Sequence, residues 1–216
     1  LVYNSILGEG MSSRLFQEIR EKRGLVYTIS SFAFPFSDTG LFGIYCGTGE
    51  NQINELVPIL CDELNKSPKS ISEEEINKGK AQLKAGLLMA RERANSRCRT
   101  AANQLLYYNK VIEPEEITNK INSVTKETVE RIAKNTLNKP MTIASIGPIK
   151  KLEMLDKIQA RLNWYKFNFC YIERIVQKTD KPINIIIANI KKAIISFKGN
   201  FINKLKIILF LFYQKF

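Results

Sequence analysis

The sequence predicts an α+β fold: a two-layer domain in which helices cover one face of a sheet built from hairpin-linked strands. Three observations predict it. Apolar residues recur at helical spacing before Gly24 and again beyond residue 51. Between those stretches the period changes to two, in LVYTISSFAF (25–34) and LFGIYCGT (41–48). The helices do not alternate one for one with strands, so the pattern is not a βαβ series with a parallel sheet.

The elements follow in order. LVYNSIL (1–7) reads as the end of an apolar helix, broken by Gly8-Glu9-Gly10. Ser12 or Ser13 is placed to cap a second helix, in which Leu15, Phe16 and Ile19 recur at helical spacing. Gly24 closes that helix as the residue after its C-cap, behind Lys22 and Arg23, whose charges suit the negative end of a helix dipole. The two strand runs are joined by Pro35, Ser37, Asp38, Thr39 and Gly40; FSDTG (36–40) is turn chemistry. In 51–66, Ile53, Leu56, Leu60 and Leu64 make one apolar stripe. Ser72 and Glu75 fit a capping box that opens one long helical tract, about 72–109. Pro114 starts a short helix with Glu115 and Glu116 in its first turn, 125–137 is a further amphipathic helix, and MTIASIGPI (141–149) is a short strand.

Beyond Leu162 the composition changes. Residues 163–216 draw 34 of 54 positions from Ile, Lys, Asn and Phe, and their apolar runs, INIII and IILFLF, show no sustained period. The expected organisation is therefore a domain over 1–162 and a basic appendage over 163–216 that adds little stability. Neither run is long enough to span a bilayer. The charge divides at the same place. Ten Lys/Arg against Glu173 and Asp180 give the appendage +8 of the chain's +12, so nucleic acid is not an expected partner of the main domain.

What is missing is as informative. The sequence has no histidine, which excludes imidazole acid–base chemistry, Ser–His and Cys–His pairs, and the usual zinc sites. Cys46, Cys61, Cys98 and Cys170 lack CxxC spacing and are expected to be reduced and buried. The chain opens Leu1-Val2-Tyr3 with neither an initiator Met nor a signal-peptide pattern. The expectation is a domain incomplete at its N-terminus, with a cytoplasmic location favoured.

The stretch LGEGMSSRLFQEIREKRGLVYTISSFAFPFSDTGLFGIYCGT (7–48) resembles the second half of the pitrilysin/mitochondrial-processing-peptidase family of zinc peptidases. It is most similar to bacterial members that resemble the processing-peptidase β subunit. The likeness continues more loosely through EEINKGKAQLKAGLL and MTIASIGPI, and the tail does not share it. The resemblance implies two similarly folded halves around a peptide-binding chamber. The first half holds zinc on an inverted H-x-x-E-H motif whose Glu is the general base; this chain would be the second half, without metal or cofactor of its own. The implied partners are a peptide substrate and a zinc-bearing half. Arg20 and Tyr27, seven residues apart, map onto an Arg/Tyr pair that reaches the substrate backbone, as catalytic and substrate-binding residues. Glu9 departs from the family's all-glycine loop.

Those residue types suit the chemistry. Amide hydrolysis builds negative charge on the scissile carbonyl oxygen, where a Tyr O–H donates; an Arg offers a planar fork of donors to peptide carbonyls. Gly8 and Gly10 carry two readings: backbone that touches substrate, or a helix–helix turn that needs positive φ. Glu73, Glu74 and Glu75 suit a helix's first turn better than catalysis, and the arginines of ARERANSRCR (90–99) suit a solvated face better than a phosphate site. Two alternatives stand beside the substrate-binding half: a separate non-catalytic subunit paired with a zinc-bearing chain, and a basic module for nucleic acid or a membrane surface.

Overall fold

The change of period at Leu25 is a change of element in the computed structural model, which describes residues 1–36, 39–139, 141–147, 150–162 and 206–215. β1 (Val26–Pro35) and β2 (Thr39–Thr48) pair antiparallel, Ile29 opposite Cys46 and Phe34 opposite Leu41. The turn residues Ser37 and Asp38 lie outside the described residues. β3 is Met141–Ile146, and β4 is Lys206–Lys215. The sheet runs β1-β2-β4-β3, antiparallel throughout.

β4 lies within the stretch expected as a poorly patterned appendage. IILFLF lacks the polar alternation of a strand with one wet face, so period alone does not mark it. The backbone of Lys206–Lys215 is nevertheless a strand, paired with β2 on one side and β3 on the other. The INIII run and Cys170 lie outside the described residues.

Helices cover one face of the sheet. α1 (Val2–Gly8) lies on β1, where Ser31 Oγ donates to the Asn4 carbonyl at 3.1 Å. It also reaches β2, with the Tyr3 ring 5.6 Å from Phe42. The expected stripe on the next helix is real: Ile53, Leu56, Leu60 and Leu64 of α2 (Ile53–Ser70) are all buried, joined by Val57 and Cys61. Enough apolar surface is removed from water along this face to carry the helix through Pro58 and Pro68. Tyr3 OH and Ser67 Oγ bond at 2.9 Å between α1 and α2, and burial pushes the Tyr3 phenol up to about 12.

Ser72 and Glu75 form both halves of the capping box that starts α3 (Glu73–Glu92). Arg14 then ties this corner together. Its guanidinium donates to both Glu75 oxygens at 2.5 and 2.7 Å, and to Ser70 Oγ and the Ser70 carbonyl at 2.6 Å each. Burial works to raise the Glu75 carboxyl, but Arg14 and the Ser72 N–H outweigh it and hold it below its ordinary value of 4.5. The linkage sign follows: the clamp stabilises fully above pH 4.5 and fades as pH falls through the lowered folded value. Arg14→Met is expected to cost about 2 kcal/mol at neutral pH, from the loss of bonds to a charged group. Denaturant melts at stepped pH check this, and the gap between the two proteins should close on acidification.

The tract expected as one helix is two. Arg93, at φ −91° and ψ 116°, separates α3 from α4 (Ala94–Tyr108), and neither Gly nor Pro marks the break. α4 buries none of its residues, so Cys98 is exposed and the expectation of buried thiols is corrected there. Cys46 and Cys61 are buried and free, and burial raises both thiols. α5 (Pro114–Asn122) has Pro114 in its first turn, and α6 (Lys126–Leu137) is capped by Thr125, which accepts from the Thr128 N–H. α7 (Leu155–Arg161) is too short for a periodicity reading; buried Ile158 and a two-pronged Arg161–Glu153 ion pair hold it. No helix among the described residues is long and apolar enough to cross a membrane.

Candidate substrate-binding site

The segment from Gly8 to Tyr27 is shaped by what lies at its two ends. Gly8 is the last residue of α1 and is buried where helix and strand meet. A Cβ there would stand 2.5 Å from the Ser31 backbone nitrogen and 2.6 Å from its Oγ. The position therefore has a packing reason to be glycine. Gly10, two residues on, is exposed and sits at φ +89°, in the left-handed region that L side chains rarely adopt. Its carbonyl accepts from Ser13 Oγ at 2.7 Å. Ser13 thus turns back to the loop instead of capping the helix ahead. Gln82 of α3 straps the loop from outside, accepting from Ser5 Oγ at 3.1 Å and donating to the Glu9 carbonyl at 3.3 Å.

The helix that follows is not the α-helix the spacing predicts. Phe16–Glu21 is a π-helix, a widened turn that is often found at functional sites. It ends in nested bonds, Gly24 N–H to the Arg20 carbonyl at 2.9 Å and Leu25 N–H to the Ile19 carbonyl at 3.1 Å. Gly24 has φ +62° there, the C′ role expected of it. Ile19, Leu25 and Val26 are buried on either side, so this turn is anchored to the core.

Arg20 and Tyr27 stand at the two ends of this turn. Arg20 is exposed and lays its guanidinium over the Phe16 ring, 4.6 Å from the centroid. The neighbouring cations are spoken for: Glu18 is held by Lys22 and by Arg23 Nη1 at 3.0 Å, and both pull its carboxyl below the ordinary range. Arg20 has no carboxylate partner among the described residues. Tyr27 is set apart by a β-bulge. Val26 pairs with Thr48 and Thr28 with Gly47, leaving Tyr27 as the extra residue on β1, 65% exposed. A bulge re-aims a side chain by shifting the strand's inward–outward phase. Here Val26 is buried before it and Ile29 and Ser31 after it. On the face away from the helices, Phe32 lies over Gly43 and 5.1 Å from Phe34.

These residues do not fit a zinc ion. The sequence has no His, and no three of Cys, Asp and Glu come together among the described residues. The four candidates occupy one continuous segment: Gly8 buried in packing, Gly10, Arg20 and Tyr27 exposed. Arg14, Glu18 and Gln82 of α3 surround it and were not singled out by the sequence, which read Phe16 only as part of an apolar stripe. Glu18–Lys22 and Phe16–Arg20 carry a local signal in their spacing of four. Arg14–Glu75 is a contact across 61 positions and carries none.

Comparison with known proteins defines the class. A conserved protein from Enterococcus faecalis V583 superposes with a TM-score of 0.55 at 28% identity, covering 62% of this chain and 31% of that one. A chain of complex III2 from Candida albicans, Inz-5 bound, reaches 0.65 at 21% identity, over 74% of this chain and 41% of its own, a likeness of fold alone. The peptidase M16 inactive domain matches residues 1–83. An uncharacterized zinc protease of Streptomyces coelicolor is 34% identical over 163 residues, which is 75% of this chain and 34% of that protein. The uncharacterized zinc protease YmxG of Bacillus subtilis is 35% identical over 150 residues, 68% of this chain and 36% of its own. The chain belongs to the M16, pitrilysin-like peptidases and carries their C-terminal, inactive half. It spans about a third of the length of the curated relatives it matches.

Proposed function

We propose that this chain binds the peptide substrate of a zinc endopeptidase, with Arg20 and Tyr27 as its donors to the peptide. The observation that supports this is the state of the pair. A cation without a carboxylate among the described residues, shelved on an aromatic ring, and a tyrosine set as the extra residue of a β-bulge sit at the ends of one anchored turn. A helix stop needs neither arrangement. Arg20 donates to backbone carbonyls of the bound peptide and fixes its register. Tyr27 donates its O–H to the scissile carbonyl oxygen as charge develops there, which favours the transition state over the bound substrate. Gly10 adds an exposed stretch of backbone without a side chain of its own, between Glu9 and Met11.

In this reading zinc, its activated water and the general base belong to the other half; relatives named as zinc proteases support a zinc in the whole protein. The same Arg/Tyr geometry serves whether the two halves share a chain or meet as subunits. Elemental analysis tests the division of labour. Purified without an affinity tag, the chain should hold no stoichiometric zinc, and its complex with a zinc-bearing first half should hold one. One tightly bound zinc on this chain alone would overturn the assignment.

A further inference from the structure

Within the sheet, β3 has a single neighbour among the described residues, and that neighbour is the C-terminal strand. Met141 to Ile146 pair with Phe212 to Ile207, while Thr39 to Thr48 of β2 pair with Lys215 to Lys206 on the opposite edge. Antiparallel strands lie about 4.8 Å apart, so β2 and β3 stand roughly 10 Å from each other across β4 and cannot pair directly. Take β4 away and each flanking strand presents a row of unpaired N–H and C=O groups, which is a template for another strand. The register positions opposite Phe212, Phe210 and Ile208 on β2 are Phe42, Ile44 and Cys46, all buried.

We infer that the gap between β2 and β3 is a strand-docking slot, filled by the chain's own segment Lys206–Lys215 and open to the same strand supplied in trans. Two features of the chain carry this beyond a description of the sheet. Residues 162–205 lie between the end of α7 and β4 in the sequence, and the entropy of closing a long connection changes only slowly with its length. What holds β4 is backbone pairing along both edges, together with an unbroken apolar run, Ile207–Tyr213, bounded by Lys206 and by Gln214-Lys215. Strand addition of this kind takes its affinity from main-chain hydrogen bonds and its register from alternate side chains, and neither requires a covalent connection. The slot is independent of the peptidase reading and stands or falls apart from it.

Amide hydrogen exchange on the full chain tests it, with a Phe210→Pro variant and a synthetic peptide of residues 203–216. Proline removes a donor and cannot continue a central strand. The wild-type chain should protect the amides of β2 and β3 and bind no peptide. In Phe210→Pro, protection in both strands should fall about 100-fold while α2 stays protected, and the peptide should restore it. If the variant does not fold alone, refolding it with the peptide should return protected α2 amides, and a scrambled peptide should not. Unchanged protection of β2 and β3 in the variant would overturn the slot. So would failure of the peptide to restore protection in both formats, or equal rescue by the scrambled sequence.

Discussion

Replacing Tyr27 by phenylalanine in a reconstituted two-half peptidase is expected to lower turnover by on the order of 10²–10³, or roughly 3–4 kcal/mol of barrier. The substitution removes one O–H and keeps the ring. That hydroxyl makes no hydrogen bond among the described residues and the side chain is 65% exposed, so the fold should lose almost nothing. Arg20→Lys makes the complementary case. It keeps the charge but not the planar fork or the stack on Phe16, and should raise KM as well as lower kcat. Steady-state kinetics alongside thermal melts separate the two readings. A structural pair gives lower melting temperatures with activity per folded molecule intact; a substrate pair gives the reverse. Wild-type activity in both variants would reduce the turn to a helix stop.

Gly8→Ala should destabilise the domain by about 3 kcal/mol, at the upper end of what overpacking usually costs. The new methyl would meet the Ser31 backbone nitrogen at 2.5 Å, and neither α1 nor β1 can yield as a flexible side-chain tip would. The displaced strand is the one that carries Tyr27, so activity in the assembly should fall with stability. Gly86→Ala is the control. Its site lies inside α3 with nothing within 4 Å, and removing a helical glycine should raise stability by roughly 0.5–1 kcal/mol. Denaturant unfolding of both variants checks the pair. Equal effects at the two glycines would mean that the contact of α1 with β1 is looser than the structure has it.

The sequence announced those elements whose physics is local. The stripe of α2, the Ser72–Glu75 box, Pro114 at the start of α5 and Gly24 at the end of its turn each follow from neighbours within a few positions, and each is where the spacing puts it. The errors arise where distant partners decide. Phe16–Glu21 reads as an α-helix because the wider bond that marks it, Lys22 N–H to the Gln17 carbonyl, leaves no trace in the apolar spacing. β4 lies in a stretch without sustained period, and the strands it pairs with, β2 and β3, lie far back in the chain. For the site, resemblance singled out Arg20 and Tyr27, and residue types explained why such donors suit amide hydrolysis. The bulge, the Phe16 shelf and the capture of Lys22 and Arg23 by Glu18 are matters of packing, and only the structure supplies them.

In the function proposed above, this chain is the substrate-binding half of a two-part peptidase whose zinc lies in the other half. Cleavage of a fluorogenic peptide tests it most directly, measured with this chain alone, with a zinc-bearing first half alone, and with the two combined. Background hydrolysis is expected from either half, and turnover that saturates at one chain per zinc-bearing half when they are mixed. Turnover by this chain alone, or a zinc-bearing half whose rate the chain leaves unchanged although the two bind, would contradict it.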